Sequence, residues 1–359
     1  MTSIAVESLS ARRTLERSEE EQLRHLETLT AFDRASKYGM PEGVTQSATW
    51  TAYERKLIHD SYWKDTVGDF LAREIQHEKK FKTLWSCTNY HEFLVGSSMG
   101  RTLQTAKGRR GKITYLMYTL RKLSGHKGSH SDFIIENSKL PYVDGGVEGA
   151  ASLKYLVSRR WECFSELISR YLKEDTLFVD LGSGWGRYST LAASVFPNLD
   201  VISAELSDSG RTCTEMITQA FGFRIQTVAF NYLDWGLLVE RLSQSRRPNL
   251  IVFSNHSIEQ VPYLNIRLFE ELIGLDKNLR FIHIEPIGWQ ISNDPAILRS
   301  STPPLRKFEE WGGYNKNLFL IVQNLLRRGL IDVDEVAPNF LATDSNRNAG
   351  SLLVFHKKA

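Results

Sequence analysis

The feature that most constrains this chain is an apolar run that ends in an acid and three closely spaced glycines, LFVDLGSGWGR at residues 177–187. Asp180 ends the apolar run, and Gly182, Gly184 and Gly186 follow it. A buried strand that turns into a helix needs glycine where the backbone bends sharply and lies against a ligand, because a Cβ would clash there. The free N–H groups of the following helix would point into the same crevice. The sequence therefore predicts a pocket for a nucleotide-like ligand at the end of a parallel strand.

Two further predicted strands end in side chains that suit the rest of a nucleotide. Residues 199–204 precede Glu205, whose carboxylate can accept hydrogen bonds from both hydroxyls of a ribose. The next predicted strand precedes Tyr232, Asp234 and Trp235. Asp234 can accept a hydrogen bond from the amine of an adenine while one of the two aromatic rings covers the base. These strand ends together predict a site for a cofactor that contains adenosine.

A second set of polar side chains follows the strands predicted over residues 249–253 and 281–284. Ligands of open α/β sheets bind beyond the carboxyl ends of the strands, so these side chains are candidates for contact with a substrate. A histidine or a glutamate in that place can take a proton from a nucleophile. The catalytic candidates are His256, Glu259 and Glu285, and the candidates for substrate binding are His283, Trp289, Tyr314 and Asn315.

Three of these candidates also have a structural interpretation. His283 alternates with Glu285 along one strand, so both side chains face the same side of the sheet, where a histidine can be an ordinary core residue. Glu259 can cap the helix that follows its strand. Glu285 precedes Pro286, which favours extended backbone and directs the glutamate towards the mouth of the crevice; a surface position is the alternative.

These features resemble those of the class I S-adenosylmethionine-dependent methyltransferases, over about residues 151–359. The matching positions are Asp180 with its glycine turn, Glu205 at the ribose and Asp234 at the adenine. The resemblance implies S-adenosyl-L-methionine as the cofactor, with the glycine turn beside its methionine part. A nicotinamide-dependent dehydrogenase is the alternative, but its GxGxxG fingerprint differs in spacing from the GSGWG found here.

The same resemblance implies the fold class, an α/β, Rossmann-like sheet of seven strands. Residues 329–336 and 350–356 can form the antiparallel hairpin with which this family ends its sheet. The predicted domains are a mainly helical region over residues 1–150, acting as a lid or in dimerisation, and a methyltransferase core over residues 151–359. Within the first domain, the polar and glycine-bearing residues 124–149 are interpreted as a loop or lid.

A narrower resemblance is carried by the segments GSGWGR, FSNHSIEQV, HIEPIGW and YNKNL. They are similar to a bacterial group that contains proteins described as sugar O-methyltransferases and the free L-arginine N-methyltransferase of streptozotocin biosynthesis. The resemblance implies N-methylation of a small guanidino or amino substrate such as free L-arginine. Glu259 and Glu285 would hold the cation, because a guanidinium stabilises carboxylates that are buried in a crevice.

Two alternatives to this substrate class stay open. A sugar O-methyltransferase would use His256 or His283 as a general base. A nucleic-acid methyltransferase would hold phosphates with residues 101–127, where eight lysines and arginines occur without an acid. The net charge of the whole chain is only +3, which is modest for a protein that binds nucleic acid, so a small-molecule partner is favoured.

The remaining sequence limits the location and the other partners of the protein. The chain contains no apolar run long enough to span a bilayer and no apolar signal segment at its start, so a cytoplasmic protein without membrane contact is predicted. Its three cysteines are far apart and form no CxxC motif, so no metal site is predicted. The long helical region before residue 150 is consistent with a homodimer.

Overall fold

The computed structural model describes residues 140–144, 147–261, 263–292, 315–342 and 349–358. Several predictions fall on other parts of the chain. The helical region before residue 140, the basic stretch over residues 101–127 and Tyr314 lie outside the described residues. The lid, the dimer and the division into domains therefore stay predictions.

Nine strands form one sheet in the described part of the chain. In chain order they are β1 (Leu140–Asp144), β2 (Val147–Ala151), β3 (Thr176–Leu181), β4 (Asp200–Glu205), β5 (Ile225–Ala229), β6 (Asn249–Asn255), β7 (Asn278–Glu285), β8 (Ile331–Ala342) and β9 (Gly350–Lys357). The helices are α1 (Leu153–Tyr171), α2 (Arg187–Val195), α3 (Asp208–Phe221), α4 (Gly236–Gln244), α5 (Ile266–Ile273), α6 (Gly288–Ile291) and α7 (Leu318–Arg327), with a 3₁₀ turn at Ile258–Gln260.

The strand order confirms the predicted fold class. Along the sheet the order is β2-β1-β8-β9-β7-β6-β3-β4-β5. Strands β3 to β7 are parallel to one another, and β9 lies antiparallel between β7 and β8. The seven strands from β3 to β9 are thus the predicted Rossmann-like sheet with its C-terminal antiparallel hairpin.

A second hairpin extends this sheet at the β8 edge. Strands β1 and β2 pair antiparallel, and β1 pairs with β8 through Val143 with Ala342 and Asp144 with Leu341. Arg159 on α1 donates from Nε to Oδ2 of Asp144 at 2.6 Å and ties the hairpin to the helix. The loop interpretation is therefore wrong for the part of residues 124–149 that forms these strands. Paired strands begin before residue 151, where the core was predicted to start.

Both faces of the sheet are covered, which explains the continuous apolar runs in its central strands β3 and β6. On β6 and β7, Val252 and Phe281 pack into the core on one face, whereas Phe253 and Ile282 pack into the core on the other. Phe253 and Phe281 are fully buried, and burial of such a side chain contributes about 1.5–3 kcal/mol. The strands therefore form a rigid support whose carboxyl ends hold the polar side chains described below.

Within the described ranges, every helix is too short or too polar to cross a bilayer.

Candidate active site

The predicted crevice lies where the chain changes direction in the sheet. From β3 the chain continues to β4 and β5 on one side, and β6 and β7 lie on the other side. Connections therefore leave the tips of β3 and β6 in opposite directions, which is where open α/β sheets bind their ligands. The two turns approach each other closely, because a Cβ added to Gly182 would lie 2.5 Å from the Cβ of Ser257.

The glycine turn has the conformation that its sequence predicts. Gly182, Gly184 and Gly186 have φ values of 65°, 59° and 81°, a left-handed region that side chains with a Cβ rarely adopt. A Cβ at Gly186 would also collide with the hydroxyl of Thr214 on α3. At Gly182 and Gly186 the turn therefore packs too closely against Ser257 and Thr214 to accept a side chain. Trp185, within the turn, is buried.

Asp180 lies at the base of the turn, as predicted, and is only 2% exposed. Ser189 on α2 donates from Oγ to Oδ2 of Asp180 at 2.8 Å. Burial is the main influence on this carboxyl and raises its pKa to about 7. Within the described ranges, no lysine or arginine forms an ion pair with it.

Glu205 lies at the tip of β4, next to the glycine turn, and is 5% exposed. Its Oε2 accepts from the backbone N–H of Gly184 at 2.9 Å. Its Oε1 accepts from the N–H of Ser207 at 3.0 Å and from the hydroxyl of Ser207 at 2.7 Å. Ser207 in turn caps α3 by accepting from the N–H of Gly210. The predicted ribose acid thus also holds the glycine turn against the start of α3.

The predicted adenine residues separate into a buried ring and two more accessible side chains. The hydroxyl of Tyr232 lies 2.8 Å from Oγ of Ser257, and both hydroxyls reach the carbonyl oxygen of Leu181 at the tip of β3. Asp234 is exposed. Trp235 is half-buried, and its Nε1 donates to a carboxylate oxygen of Glu271 on α5 at 2.8 Å. Tyr232 therefore closes the floor of the crevice, while Asp234 and Trp235 lie after β5.

The tip of β6 carries the first pair of catalytic candidates. His256 and Glu259 are 30% and 16% exposed, and Nδ1 of His256 lies 3.2 Å from Oε2 of Glu259. A carboxylate can only accept, so Nδ1 carries the proton in this bond and Nε2 is the basic nitrogen. The backbone of His256 has a φ of 52°, and its N–H donates to the carbonyl oxygen of Ile284 on β7 at 3.2 Å. The structure therefore brings these two predicted residues together as a histidine–carboxylate pair.

Glu285, the third catalytic candidate, is 0% exposed. Its Oε1 accepts from the hydroxyl of Ser254 at 2.7 Å and from the N–H groups of Ser257 and Ile258, both at 3.2 Å. Its Oε2 accepts from the N–H of Glu259 at 3.2 Å. Burial, followed by the negative charge of Glu259, raises the pKa of this carboxyl to about 7. The side chain faces the β6 turn from below and not the mouth of the crevice.

His283 lies in the core on the same face of the sheet as Glu285, as its alternation predicted. It is fully buried, next to the rings of Phe281 and Phe355. Burial lowers its pKa to about 3, so the imidazole is neutral. Its Nδ1 lies 2.8 Å from Oγ of Ser254. Its Nε2 has no hydrogen-bond partner within the described part of the chain. The position matches the interpretation of His283 as a core residue.

The two described substrate candidates after β7 are also buried. Trp289 lies on the short helix α6. Asn315 accepts at Oδ1 from the N–H groups of Asn317 and Leu318, and its Nδ2 donates to Val261 O and Asn317 Oδ1. An asparagine side chain has two acceptor and two donor positions, so all four are used. Asn315 therefore fastens the start of α7 to the segment after β6.

Sequence reasoning missed the small polar residues that organise this region. Ser254 pairs in register with His283 across β6 and β7, and Ser257 and Gln290 make further buried hydrogen bonds. A serine as the last buried residue of an otherwise apolar strand is a signal for Ser254, because a buried hydroxyl needs a partner. Within the described ranges, no three His, Cys, Asp or Glu side chains are grouped as metal ligands would be.

No family model and no curated protein matches the chain. Among solved structures, an O-methyltransferase family protein from Burkholderia thailandensis is 16% identical, covers 57% of this chain and 56% of its own, and has a TM-score of 0.37. A SAM-dependent methyltransferase from Aquifex aeolicus is 14% identical, covers 53% and 88%, and has a TM-score of 0.33. Another from Anabaena variabilis is 11% identical, covers 63% and 91%, and has a TM-score of 0.37.

The chain spans little more than half the length of the Burkholderia protein. These TM-scores are too low to support the fold assignment, which rests on the strand order. By that order, the described residues form the predicted seven-stranded α/β sheet with a C-terminal antiparallel hairpin, extended by β1 and β2.

Proposed function

We propose that the protein is an S-adenosylmethionine-dependent methyltransferase that acts on a hydroxyl group of a small molecule. The observation that carries this proposal is the His256–Glu259 pair, with Nδ1 and Oε2 3.2 Å apart, on a turn that touches the glycine turn. A base with its own carboxylate partner, next to a cofactor crevice, suits a nucleophile that must lose a proton.

The charges around the glycine turn favour this cofactor over a dinucleotide. Asp180 and Glu205 are both buried, and within the described ranges neither carboxylate has a lysine or arginine partner. A pyrophosphate would bring further negative charge beside them, whereas a sulfonium and an amino group would compensate them. The N–H of Gly184, which could otherwise donate to a phosphate, already donates to Glu205.

The residues of this chain that would hold the cofactor follow from their positions. The glycine turn, from Gly182 to Gly186, would lie along its methionine part. Glu205 would lie beside the ribose, and Asp234 with Trp235 at the adenine. When bound, S-adenosylmethionine supplies a methyl group on a positively charged sulfur, which leaves with the bonding pair as the neutral thioether of adenosylhomocysteine.

The proton of the acceptor is handled by the pair on the β6 turn. As the acceptor oxygen forms its bond to the methyl carbon, Nε2 of His256 takes the hydroxyl proton. Glu259 accepts from Nδ1, which fixes the tautomer and the orientation of the ring and stabilises the imidazolium that forms. The protein's further contribution is to align the oxygen and to exclude water.

The geometry supports a guanidino substrate less well. N-methylation of free L-arginine was predicted from two glutamates that hold one cation. The carboxylate of Glu285 is fully buried and accepts four hydrogen bonds from the chain itself. Of the two side chains, Glu259 alone is partly accessible, with 16% of it exposed. We therefore rank a hydroxyl acceptor, such as that of a sugar, before a guanidino or amino acceptor.

A methylation assay with a labelled methyl donor tests both parts of this proposal. The acceptors are sugars and other small hydroxyl compounds, free arginine and other amines, and bulk RNA. We expect transfer to a hydroxyl compound, and loss of that transfer in the His256→Ala variant. Transfer to arginine alone would overturn the hydroxyl acceptor and leave the methyltransferase proposal standing. Tight binding of NAD, without binding of S-adenosylmethionine or adenosylhomocysteine, would overturn both.

Cofactor binding is also expected to release protons near neutral pH. Burial raises the pKa of Asp180 to about 7, so the carboxyl is partly protonated there in the free protein. A cation bound beside it favours the ionised form, lowers its pKa and expels the proton. Calorimetry at pH 7 in two buffers of different ionisation enthalpy measures this release, and S-adenosylmethionine should release more than adenosylhomocysteine.

The release should disappear at pH 9, because Asp180 is then ionised before the ligand binds. Asp180→Asn should reduce it at pH 7, while Glu240→Gln, on the exposed surface of α4, should leave it unchanged. If the heat of S-adenosylmethionine binding at pH 7 is the same in both buffers, no proton is released. That result, or proton uptake, would contradict the proposed role of Asp180.

A further inference from the structure

The β6 turn holds its catalytic candidate in a conformation that needs external support. His256 is not a glycine, yet its φ of 52° lies in the left-handed region. Such a backbone persists only where surrounding contacts over-determine it. The contacts that hold this backbone therefore also fix the positions of the His256 imidazole and the Glu259 carboxylate.

That support comes from the last two residues of β7. The carbonyl oxygen of Ile284 accepts from the N–H of His256, and the carboxylate of Glu285 accepts from the next three N–H groups along the chain. These three belong to Ser257, Ile258 and Glu259. Four successive amides of the turn are thus bonded to two neighbouring residues of one strand. Converging N–H groups of this kind stabilise an anion, and the anion in turn fixes the backbone.

The carboxylate itself is held in place from beneath. Ser254 donates its single hydroxyl proton to Oε1 of Glu285, so its oxygen must accept from Nδ1 of His283, 2.8 Å away. His283 is fully buried and packs against aromatic rings. The order of contacts from the core to the crevice is therefore His283, Ser254, Glu285 and then the turn.

We propose that Glu285, held by Ser254 and His283, is a positioning residue that fixes the β6 turn and thereby aligns the His256–Glu259 pair. The proposal rests on the proposed function for the role of that pair. It assigns to Glu285 a task different from holding a substrate cation, because the carboxylate is fully buried and accepts four hydrogen bonds from Ser254 and the β6 turn. It also gives His283 a place in the site without contact to the substrate.

Amide hydrogen exchange of the turn tests the proposal without any assay of activity. Glu285→Gln keeps the size of the side chain but removes the charge and places an NH₂ group against N–H donors. We expect the amides of Ser257, Ile258 and Glu259 to exchange about 10- to 100-fold faster in this variant, as the loss of a charge-assisted hydrogen bond predicts. Glu270→Gln, a surface change at the ion pair with Arg328, should leave these amides unchanged.

Kinetics separate a positioning role from substrate binding. Glu285→Gln should lower kcat about 10- to 100-fold, because the base is misplaced. The acceptor KM and the affinity for adenosylhomocysteine should change by less than about threefold. A large rise in the acceptor KM at unchanged kcat would overturn the proposal and restore Glu285 as a substrate ligand. Unchanged exchange of the three amides would also overturn it.

A second variant keeps the test decisive if Glu285→Gln does not fold. Ser254→Ala retains the carboxylate and removes only the hydroxyl that orients it, so the same amides should exchange faster by a smaller factor. If the unmodified protein methylates none of the acceptors in the panel, the proposed function fails. The exchange measurement still decides whether Glu285 fixes the turn.

Discussion

Replacing His256 with alanine is expected to lower kcat for methyl transfer about 10²- to 10⁴-fold, the usual contribution of a general base. Removal of the imidazole leaves the hydroxyl proton without an acceptor while the crevice around the glycine turn stays intact. The affinity for adenosylhomocysteine, measured by calorimetry, should therefore change little. Steady-state kinetics with the acceptor found in the panel measure the effect.

The chain contains a matched control for this variant. His356 forms the same kind of pair, with Nδ1 2.9 Å from Oδ2 of Asp334. It lies opposite Arg280 near the start of β7, whereas Ser351 lies opposite Glu285 at the tip of that strand. His356→Ala should therefore keep its kcat even if it loses some stability. Equal losses of kcat in both variants would mean that His256 acts on the fold and not on the proton.

Glu259→Gln is a milder test of the same pair. The amide can still accept from Nδ1, but it no longer compensates the charge of an imidazolium. A fall in kcat smaller than that of His256→Ala is expected, together with an unchanged cofactor affinity. A Glu259→Gln enzyme that keeps full activity would show that the carboxylate is not needed by the base.

The sheet could be predicted from the sequence because its signals are local and repeated. Strands β3 and β6 each contain a continuous apolar run, residues 177–179 and 250–253, which is typical of strands covered on both faces. The acid and glycines at Asp180 to Gly186 then indicated β3 as the strand that leads into the candidate cofactor site. The β1–β2 hairpin was missed because two five-residue strands have little pattern of their own, and their stability comes from pairing with β8, far away in the chain.

The roles at the strand tips were harder to predict than their positions. Alternation along β7 correctly placed His283 and Glu285 on one face of the sheet. It does not predict how deeply each side chain is buried on that face. His283 lies among aromatic rings. The carboxylate of Glu285 accepts hydrogen bonds from backbone N–H groups of the neighbouring turn, which leaves it buried. No residue spacing in the sequence predicts that the turn after β6 will be held by the carboxylate of Glu285. That need arises only once β6 and β7 are paired in register.

Gly182→Ala is expected to destabilise the protein through two separate contributions, one from the backbone and one from a collision with Ser257. An alanine there must adopt a φ of 65°, which costs about 1–2 kcal/mol for a residue with a Cβ. Its Cβ would also lie 2.5 Å from the Cβ of Ser257, and such overpacking costs about 1–3 kcal/mol more. Chemical unfolding should show the sum as a lower midpoint, and adenosylhomocysteine should bind more weakly because the two turns are pushed apart.

Gly222 separates these two contributions. It caps α3 with a φ of 69°, and nothing lies within 4 Å of the Cβ that an alanine would add there. Gly222→Ala should therefore lose only the conformational part, and the difference between the two variants measures the collision with Ser257. Adding Ser257→Gly to Gly182→Ala should recover much of that difference, a coupling that a double-mutant cycle isolates. If both alanine variants lose the same stability, the turns after β3 and β6 do not meet, and the base on one cannot serve a cofactor on the other.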